Sequence, residues 1–545
     1  MSVTDIQIEP GYRWAETSRD GWRVFWVENI NPTPDTFDGF PPDGSIDIER
    51  LATALRARKG FFGLIAESAT HVVAAVDRIR SFPVFCGGSG ETFRISNAAR
   101  PIRDALGLEK SDPVGVVEFQ LSGWVSGEKT VLEGLSQLQA GEYLVYDKSS
   151  HAVLRDRYYL FYSARDTEGS EDELVARLDA LHDRQYRAIA ERAKGRPIWI
   201  PLSGGWDSRL IASKLAQIGY PNIQTFSYGT PGNHETRLAR DVARVLDLPW
   251  FEVPVTGKEY RQYYWSPARK AYFDYSDGLC ALPFMQDSSI VASLLAQGRM
   301  PRDAIVINGQ SGDFITGGHI QPELMGADID LDRVLDTLLA HHYRMWLNLR
   351  TPENMRVARA HMAAILADLR AREPSMPYGA KMTECWEWQE RQSKFVVNGQ
   401  RAYDFCDLDW ELPLWEPEYL DFWQAVPIAM KFKQSLYKKC LRENGYRDIF
   451  NAVSTEVWRW PGASIAIVPV ARLFGLLMGS GAKERIYKTF KWMGHYRYSY
   501  AAFGYWKAMQ TANIVRDPDS FNIEVWSREN GLPDPLSYAA QGTPA

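Results

Sequence analysis

The stretch that decides the fold lies at residues 201–209 and has the sequence Pro201-Leu202-Ser203-Gly204-Gly205-Trp206-Asp207-Ser208-Arg209. An apolar strand pattern at 197–202 precedes the glycines, and a helical pattern at 208–217 follows them. Gly204 and Gly205 have no Cβ, so their backbone amides can approach a phosphate closely. The start of the helix adds unpaired amides and the positive end of its dipole. The stretch therefore predicts a phosphate-binding loop, with Ser203 and Ser208 as hydroxyl donors.

The acidic residue of this loop indicates a metal ion. No lysine follows the glycines, so the loop is not of the Walker type. A carboxylate beside a phosphate needs a cation between them, and Mg²⁺ takes one or two carboxylates together with phosphate oxygens. Asp207 is therefore a predicted Mg²⁺ ligand. The alternative is an ordinary Gly-Gly turn in which Asp207 caps the helix and no nucleotide binds.

Strand and helix patterns alternate around the loop. Helical spacing covers 172–194, 208–217, 235–246 and 290–296, and strands are predicted at 197–202, 223–228, 250–255 and 304–307. This alternation predicts a parallel sheet whose ligand site lies at the carboxyl ends of its strands. Residues 330–512 are predicted to be mainly helical and to pack around that sheet. An apolar run at 465–478 is too short to span a bilayer comfortably.

The first 160 residues have a different pattern. Short apolar runs at 60–65, 72–76, 83–86, 93–95 and 142–146 are separated by Gly, Asp and Ser clusters. Such a series is typical of an antiparallel sheet. We expect one helix here, near 101–106.

Composition limits the class of protein. The 545 residues predict two or three domains, and 62 basic against 68 acidic residues give a net charge of −6, which argues against a nucleic-acid binder. The five cysteines, Cys86, Cys280, Cys385, Cys406 and Cys440, show no paired metal-ligand spacing. Such sparse use favours a reducing compartment. Without a signal-peptide pattern at the N-terminus, we predict a cytoplasmic protein.

A second motif follows the predicted strand 304–307. It has the sequence Asn308-Gly309-Gln310-Ser311-Gly312-Asp313, with Gly317-Gly318 after it. Together, residues 203–208 and this motif resemble the ATP-pyrophosphatase signature of the asparagine synthetase family (class B), and they are also similar to β-lactam synthetases. The resemblance implies ATP and Mg²⁺ as cofactors, with Asp313 as the second metal ligand opposite Asp207. On its own, Asp313 is equally well explained as a turn residue.

A third motif is Lys438-Lys439-Cys440-Leu441-Arg442, which is similar to the family's Lys-x-x-Leu-Arg. The resemblance implies that Lys438 stabilises negative charge on an acyl-adenylate. Lys431, Lys433 and Lys439 are competing candidates, and a solvated lysine face is the alternative.

The resemblance also assigns nucleotide contacts. It places AMP against Leu202, Ser203, Gly204, Gly205, Asp207, Ser208, Tyr228 and Gly309. Arg459, followed by Gly462, resembles a basic position near the pyrophosphate.

The resemblance also extends to the N-terminal region. It implies an α+β, Ntn-hydrolase-like β-sandwich at 1–165, an α/β parallel-sheet ATP-pyrophosphatase domain (adenine nucleotide alpha hydrolase-like) with added helices at 170–520, and a tail at 521–545. A family glutaminase uses a cysteine at the mature N-terminus. Here Ser2 follows Met1 and the first cysteine is Cys86. We therefore expect a degenerate glutaminase-like domain.

The second motif departs from the family at Gln310, where relatives have Glu or Tyr. An amide does not accept a proton at neutral pH, so Gln310 is not a general base. Glu384, Glu387 and Glu390, on a predicted helix before Pro413, are alternative bases.

Two function classes remain. The first is an adenylate-forming ligase that joins a small-molecule, peptide or glycan carboxylate to ammonia or an amine, and the second is a catalytically weak nucleotide-binding scaffold. No nucleic-acid partner is expected, and a homodimer is compatible with the resemblance. The basic, aromatic stretch 483–507 is compatible with peripheral membrane contact, although a buried helix with a solvated edge explains it more simply.

Overall fold

The computed structural model describes residues 5–30, 39–41, 44–285, 287–326, 328–453, 467–479, 486, 501–511 and 514–536. The N-terminal region contains strands β1 Asp5–Gln7, β2 Ala15–Arg19, β3 Trp22–Glu28, β4 Phe62–Glu67, β5 His71–Val76, β6 Phe85–Gly87, β7 Arg94–Ser96, β8 Leu135–Gln137, β9 Glu142–Asp147 and β10 Val153–Arg157. They form an antiparallel sheet in the order β10-β9-β5-β4-β3-β2 and a smaller sheet in the order β1-β7-β6-β8.

The two N-terminal sheets pack face to face. Alternate side chains of a strand point to opposite faces, which gives the larger sheet two apolar surfaces. One surface meets the smaller sheet through a buried cluster that includes Phe25, Ile65, Val84 and Ile95. The other buries Trp22 and Leu64 against Leu51 and Leu55 of helix α1, Ile48–Ala57. The β-rich N-terminal region predicted from the sequence is confirmed.

Two N-terminal helices were not predicted, while a third was. Helix α2, Ala99–Leu106, agrees with the expected helix at 101–106. Helix α1 and helix α3, Pro113–Ser122, are additional. Seven of the ten α3 residues are buried, so its sequence has no polar face and lacks a helical period.

The parallel sheet is present as predicted, with one further strand. Its strands are β11 Ile198–Pro201, β12 Ile223–Gly229, β13 Trp250–Pro254, β14 Ile305–Ile307 and β15 Asp409–Glu411. Their order is β13-β12-β11-β14-β15, and every neighbouring pair is parallel. Strand β15 was missed because its three residues, Asp-Trp-Glu, form no apolar run.

Helices surround this sheet. They are α4 Glu171–Ala193, α5 Trp206–Gln217, α6 His234–Leu246, α7 Gly257–Tyr264, α8 Pro267–Ser276, α9 Ser288–Ala296, α10 Gly312–Ile315, α11 Leu331–His342, α12 Pro352–Arg372, α13 Ala380–Glu387, α14 Arg401–Phe405, α15 Pro417–Ala425, α16 Ile428–Lys431, α17 Ser435–Asn444, α18 Ile449–Ala452, α19 Ile467–Met478, α20 Tyr505–Thr511 and α21 Pro518–Glu529. A π-helix, Trp388–Val396, continues α13. Short 3₁₀ helices occur at Pro10–Tyr12, Gly90–Thr92, Pro322–Leu324, Leu347–Leu349, Val397–Gln400, Pro413–Trp415, Phe432–Gln434 and Tyr446–Asp448.

The predicted boundary of the C-terminal tail needs correction. The division between residues 520 and 521 falls inside α21. Phe521, Ile523 and Trp526 of this helix are buried, and the Trp526 indole donates to Asp277 at 2.8 Å. Arg269 and Glu529 form an ion pair at 2.7 Å. Residues 521–527 are therefore buried in the core, and the helix continues to Glu529 rather than forming a tail.

Among the described residues, no helix is both long and apolar enough to cross a membrane. Most of the basic stretch 483–507, and residues 465 and 466 of the apolar run, lie outside the described residues.

Candidate active site

The two predicted motifs meet at one edge of the parallel sheet. Strands β11 and β14 are hydrogen-bonded neighbours and run parallel. Their carboxyl ends therefore lie side by side, and the loops that follow them, 203–208 and 308–313, must be adjacent. The parallel sheet itself thus brings together residues that are about a hundred positions apart in the chain.

The first loop is tied together by its own hydroxyls. The Ser203 N–H donates to the Ser208 Oγ at 3.1 Å, and the Gly205 N–H donates to the Ser203 Oγ at 3.1 Å. Gly205 begins α5 without a side-chain cap. The Gly204 N–H donates to a carboxylate oxygen of Glu235 at 3.0 Å. A negatively charged oxygen thus already bonds to one of the amides predicted to bind phosphate.

Asp207 lies where the two loops touch. A Cβ on Gly309 would lie 2.6 Å from the Cβ of Asp207, and one on Gly312 would overlap the Asp207 carboxylate. The Tyr437 hydroxyl donates to the Asp207 Oδ1 at 2.8 Å. Burial, together with the charge of Asp313, raises the pKa of Asp207 to about 7. The two carboxylates therefore repel each other, and a divalent cation bound to both would relieve that repulsion.

Asp313 is held by a charged chain of side chains. Its Oδ2 lies 3.1 Å from the Nε2 of His319, whose Nδ1 lies 2.6 Å from an oxygen of Glu387. Burial opposes the charged imidazole, but Glu387 and Asp313 outweigh burial and raise the pKa of His319 to about 10. Both ring nitrogens of His319 therefore donate. Glu387 also accepts from Gln392 at 2.9 Å, so Asp313 is anchored to the π-helix.

Helix α17, which carries Lys438, runs past both loops. At the start of this helix the Gln434 amide donates to the Thr316 hydroxyl at 2.8 Å, beside the second loop. Two turns later Arg442 lies 5.3 Å from the ring centre of Trp206, in the first loop. Lys438 lies between these two contacts in the chain and directly follows Tyr437, whose hydroxyl bonds to Asp207.

The Lys438 ammonium is available for a negatively charged ligand. Its Nζ donates to the Lys433 carbonyl at 3.0 Å. Burial and the neighbouring Arg442 charge lower the pKa of Lys438. Among the described residues, no carboxylate forms an ion pair with Lys438. A cation of this kind suits charge that develops only during a reaction.

The competing lysines are engaged elsewhere. Lys431 is buried and pairs with Glu384 at 2.6 Å. Lys439, next to Lys438, pairs with Glu171 at 3.1 Å and with Asp172 at 2.5 Å. Lys433 is exposed, with its Nζ 5.1 Å from the ring centre of Phe432.

The remaining nucleotide positions lie on the first loop's side of the sheet. Leu202 is buried, and its carbonyl accepts from the Ser227 hydroxyl at 2.6 Å. Tyr228 is the last but one residue of β12, the neighbouring strand, and its hydroxyl donates to Asp287. Asp287 also accepts from the Tyr403 hydroxyl at 2.6 Å, which fixes the position of the Tyr228 ring.

Gln310 belongs to an amide network. Its Oε1 accepts from the Gln400 amide at 2.7 Å, and the Gln400 Oε1 accepts from Asn308 at 3.2 Å. The side chain is therefore a structural hydrogen-bonding group, in agreement with the expectation that it is not a base.

The three glutamates proposed as bases are all buried and paired. Glu384 pairs with Lys431, and Glu390 pairs with Lys394 at 2.5 Å with both side chains inaccessible to solvent. Of the three, Glu387 alone is linked to a site carboxylate, through His319. Lysine pairing inside the core argues against Glu384 and Glu390 as bases.

Sequence reasoning missed three residues of the site, and two other assignments cannot be placed. The missed residues are Tyr437, His319 and Glu235. Tyr437 immediately precedes Lys438 and His319 follows Gly317-Gly318, so both stood next to motifs already recognised. Arg459, Gly462 and Ser2 lie outside the described residues.

All the residues of this site lie in one region that matches a known protein family. Residues 180–448 match the family model described as asparagine synthase, a range that includes both loops and α17. This region belongs to the asparagine synthase family. No curated protein matches the chain.

Two solved structures with similarity to the chain come from other enzymes. Glutamine phosphoribosylpyrophosphate amidotransferase from B. subtilis, complexed with ADP and GMP, is 10% identical over 55% of this chain and 64% of that chain, with a TM-score of 0.18. A structure titled as the allosteric regulatory enzyme of purine biosynthesis is 12% identical over 55% and 57%, with a TM-score of 0.17. The match covers less than two thirds of either chain.

The residues of this asparagine synthase-family site fit Mg²⁺ and ATP. The amides around Gly204 and Gly205 follow a strand and precede a helix N-terminus, as a phosphate site requires. Asp207 and Asp313 supply the carboxylate oxygens that Mg²⁺ prefers. Gly309 and Gly312 leave the space that allows Asp207 to approach the second loop.

Replacing Gly312 with Ala is expected to displace the Asp207 carboxylate and so weaken the site. The added methyl group would overlap the carboxylate, and overpacking of this kind costs about 1–3 kcal/mol. We expect a lower free energy of unfolding in urea and weaker Mg-ATP binding by calorimetry. Gly11→Ala is the control, because no atom of the part of the chain that the structure describes lies within 4 Å of its added Cβ. Equal behaviour of the two variants would contradict the packing described here.

His319→Gln is expected to weaken Mg²⁺ binding in the family site. Losing a residue that orients a metal ligand typically costs about 10–100-fold in metal affinity. The Mg²⁺ concentration giving half-maximal activity should rise by that factor, while the activity at saturating Mg²⁺ changes less. His341→Gln is the control, because His341 lies 3.8 Å from Glu323 and outside the chain that holds Asp313. An unchanged Mg²⁺ requirement would exclude a positioning role for His319.

Proposed function

We propose that this protein is an ATP-dependent ligase that activates a carboxylate as its acyl-adenylate, releases pyrophosphate, and transfers the acyl group to ammonia or an amine. It would do so without glutaminase activity of its own. The observation that supports this most strongly is the meeting of Asp207 and Asp313 at adjacent strand ends, with Lys438 on the helix that crosses both loops.

Each group then has a distinct role in adenylation. Asp207 and Asp313 would hold Mg²⁺, which when bound neutralises charge on the pyrophosphate. The amides of Gly204 and Gly205 would orient the phosphates by exchanging their bonds to Glu235 and Ser203 for bonds to phosphate oxygens. The substrate carboxylate oxygen attacks the α-phosphorus, a phosphorus–oxygen bond forms, and the bond between the α-phosphorus and the leaving pyrophosphate breaks.

Lys438 would act in both half-reactions. Its ammonium stabilises the negative charge on the adenylate phosphate and on the tetrahedral intermediate. In the second half-reaction the nitrogen nucleophile forms a carbon–nitrogen bond, AMP leaves with the carbon–oxygen electron pair, and the nitrogen loses a proton. Gln310 cannot take that proton, because its amide is not basic and is bonded to Gln400.

The cysteines support the absence of glutaminase chemistry in this chain. A glutaminase nucleophile must be an accessible thiolate with a low pKa. Burial raises the pKa of all five thiols, to about 11 in Cys86 and Cys406, to about 12 in Cys385 and Cys440, and also in Cys280. None of them has the properties of such a nucleophile.

Pyrophosphate release from Mg-ATP tests the proposal. The purified chain would be assayed with aspartate, peptides, amino-carboxylates and sugar acids, with ammonia or an amine present and Asp207→Ala as the blank. We expect release with one carboxylate class, lost in the variant. ATP binding without release from any substrate would favour a nucleotide-binding scaffold, and absence of ATP binding would contradict the assignment of the glycine loop.

A further inference from the structure

A second group of possible metal ligands lies between α17 and α4. Asp179 and His182 are three residues apart on α4 and so share a face, and Cys440 of α17 lies opposite them. One ligand atom from each of the three lies within 4.8 Å of the others. None of these residues belongs to the adenylation site.

His182 is the unusual member of this group. It is 0% exposed, and neither of its ring nitrogens has a hydrogen-bond partner among the described residues. Burial, followed by the nearby Lys214 charge, lowers the pKa of His182 to about 3. Buried polar atoms are almost always paired, and an unpaired one indicates a missing water or ion. Because one of these nitrogens lies within 4.8 Å of the ligand atoms of Asp179 and Cys440, an ion is favoured.

A divalent cation would balance the charges around Asp179, His182 and Cys440. Lys214 bonds to Asp179 at 2.7 Å and to Asp183 at 2.8 Å, which leaves one net negative charge from these three side chains. The Cys440 thiol donates to the Val175 carbonyl, with its Sγ 3.7 Å from that oxygen. A thiolate would bring the total to two negative charges, which one divalent ion neutralises.

We propose that Asp179, His182 and Cys440 bind a Zn²⁺ ion that joins α4 to α17. A carboxylate, a neutral imidazole and a thiolate are ligands that zinc accepts, and the thiolate selects against Mg²⁺. On binding, the zinc–sulfur bond forms and the Cys440 proton is released to solvent. The proposal goes beyond the proposed function, since it concerns an ion between α4 and the helix that carries Tyr437 and Lys438.

Cobalt substitution tests the zinc site independently of activity. The chelator-treated full-length chain would be titrated with Co²⁺ in excess Mg²⁺, and the thiolate-to-cobalt charge-transfer band would be recorded. We expect the band to saturate at one Co²⁺ per chain and to disappear when one equivalent of Zn²⁺ is added. Cys440→Ser should lose the band. Cys385→Ser should keep it, because Cys385 is equally buried but lies outside the group.

His182→Gln provides a second variant that does not depend on the cysteine. It should weaken Co²⁺ affinity by at least about tenfold, the lower end of what losing even a supporting contact costs. Folding of each variant would be checked by circular dichroism. Absence of the band in the unmodified chain, or an undiminished band in folded Cys440→Ser or His182→Gln, would overturn the proposal.

Discussion

Replacing Asp207 with Asn is expected to reduce pyrophosphate release by at least about a thousandfold while leaving the fold intact. A neutral amide is a poor Mg²⁺ ligand, and losing about 4 kcal/mol of transition-state stabilisation corresponds to that factor. The side-chain oxygen of Asn can still accept from the Tyr437 hydroxyl, which bonds to Asp207 at 2.8 Å.

The stability of the unmodified protein depends on pH through Asp207, and the Asp207→Asn variant lacks this dependence. Because the folded-state pKa of Asp207 is raised from 3.8 to about 7, protonated Asp207 favours the folded state, and this contribution is lost as pH rises through 7. Asn has no charge to bury. Above pH 7, without Mg²⁺, the variant should therefore unfold at an equal or higher urea concentration than the unmodified protein.

Asp241→Asn is the control for Asp207→Asn. Asp241 lies on α6 and forms a surface pair with Arg244 at 3.1 Å, so its replacement should leave pyrophosphate release unchanged. If Asp207→Asn retained more than about a tenth of the activity, its role as a metal ligand would be excluded, since such a small loss is under 1.4 kcal/mol.

Lys438→Met is expected to lower the turnover number by about a hundredfold to a thousandfold, with ATP binding largely retained. Removing one group that stabilises charge formed in a transition state typically costs this much. The lysine side chain is half-buried, and a methionine side chain of similar length can occupy the same space. The variant loses only the charge and the hydrogen bond to the Lys433 carbonyl. Single-turnover kinetics and calorimetry with Mg-ATP would separate turnover from binding.

The neighbouring lysine is a matched control. Lys439→Met removes the same charge one residue along α17, but Lys439 pairs with Glu171 and Asp172 of α4 instead of facing the loops. It should leave turnover nearly unchanged, because a surface ion pair contributes little and neither of its partners belongs to the two loops. A larger loss from Lys439→Met than from Lys438→Met would reverse the assignment of the catalytic lysine.

The parallel sheet and its loops were predictable because the strands are apolar runs and the loops carry glycines where other groups approach the backbone closely. The strand expected at 197–202 is found at Ile198–Pro201, and that expected at 304–307 is found at Ile305–Ile307. The glycines of both loops reflect close approaches, as Gly309 and Gly312 show against Asp207. Such requirements are visible in sequence because no other residue satisfies them.

The rest of the site depends on contacts between distant parts of the chain. Tyr437 is 230 residues from Asp207, and His319 is 68 residues from Glu387. No periodicity connects such pairs, and only the packing of α17 and the π-helix against the sheet brings them together. Strand β15 and helix α3 were missed for a related reason, since their burial is set by tertiary packing and not by an amphipathic pattern.

The most direct test of the ligase account is the fate of oxygen from the carboxylate substrate. With the carboxylate that best supports pyrophosphate release labelled with oxygen-18, and ammonia or the preferred amine present, the nucleotide product would be analysed by mass spectrometry. Attack by the carboxylate on the α-phosphorus predicts one labelled oxygen in AMP for each amide formed. Label in inorganic phosphate with ADP as the nucleotide product, or unlabelled AMP, would contradict adenylation at the Asp207–Asp313 site.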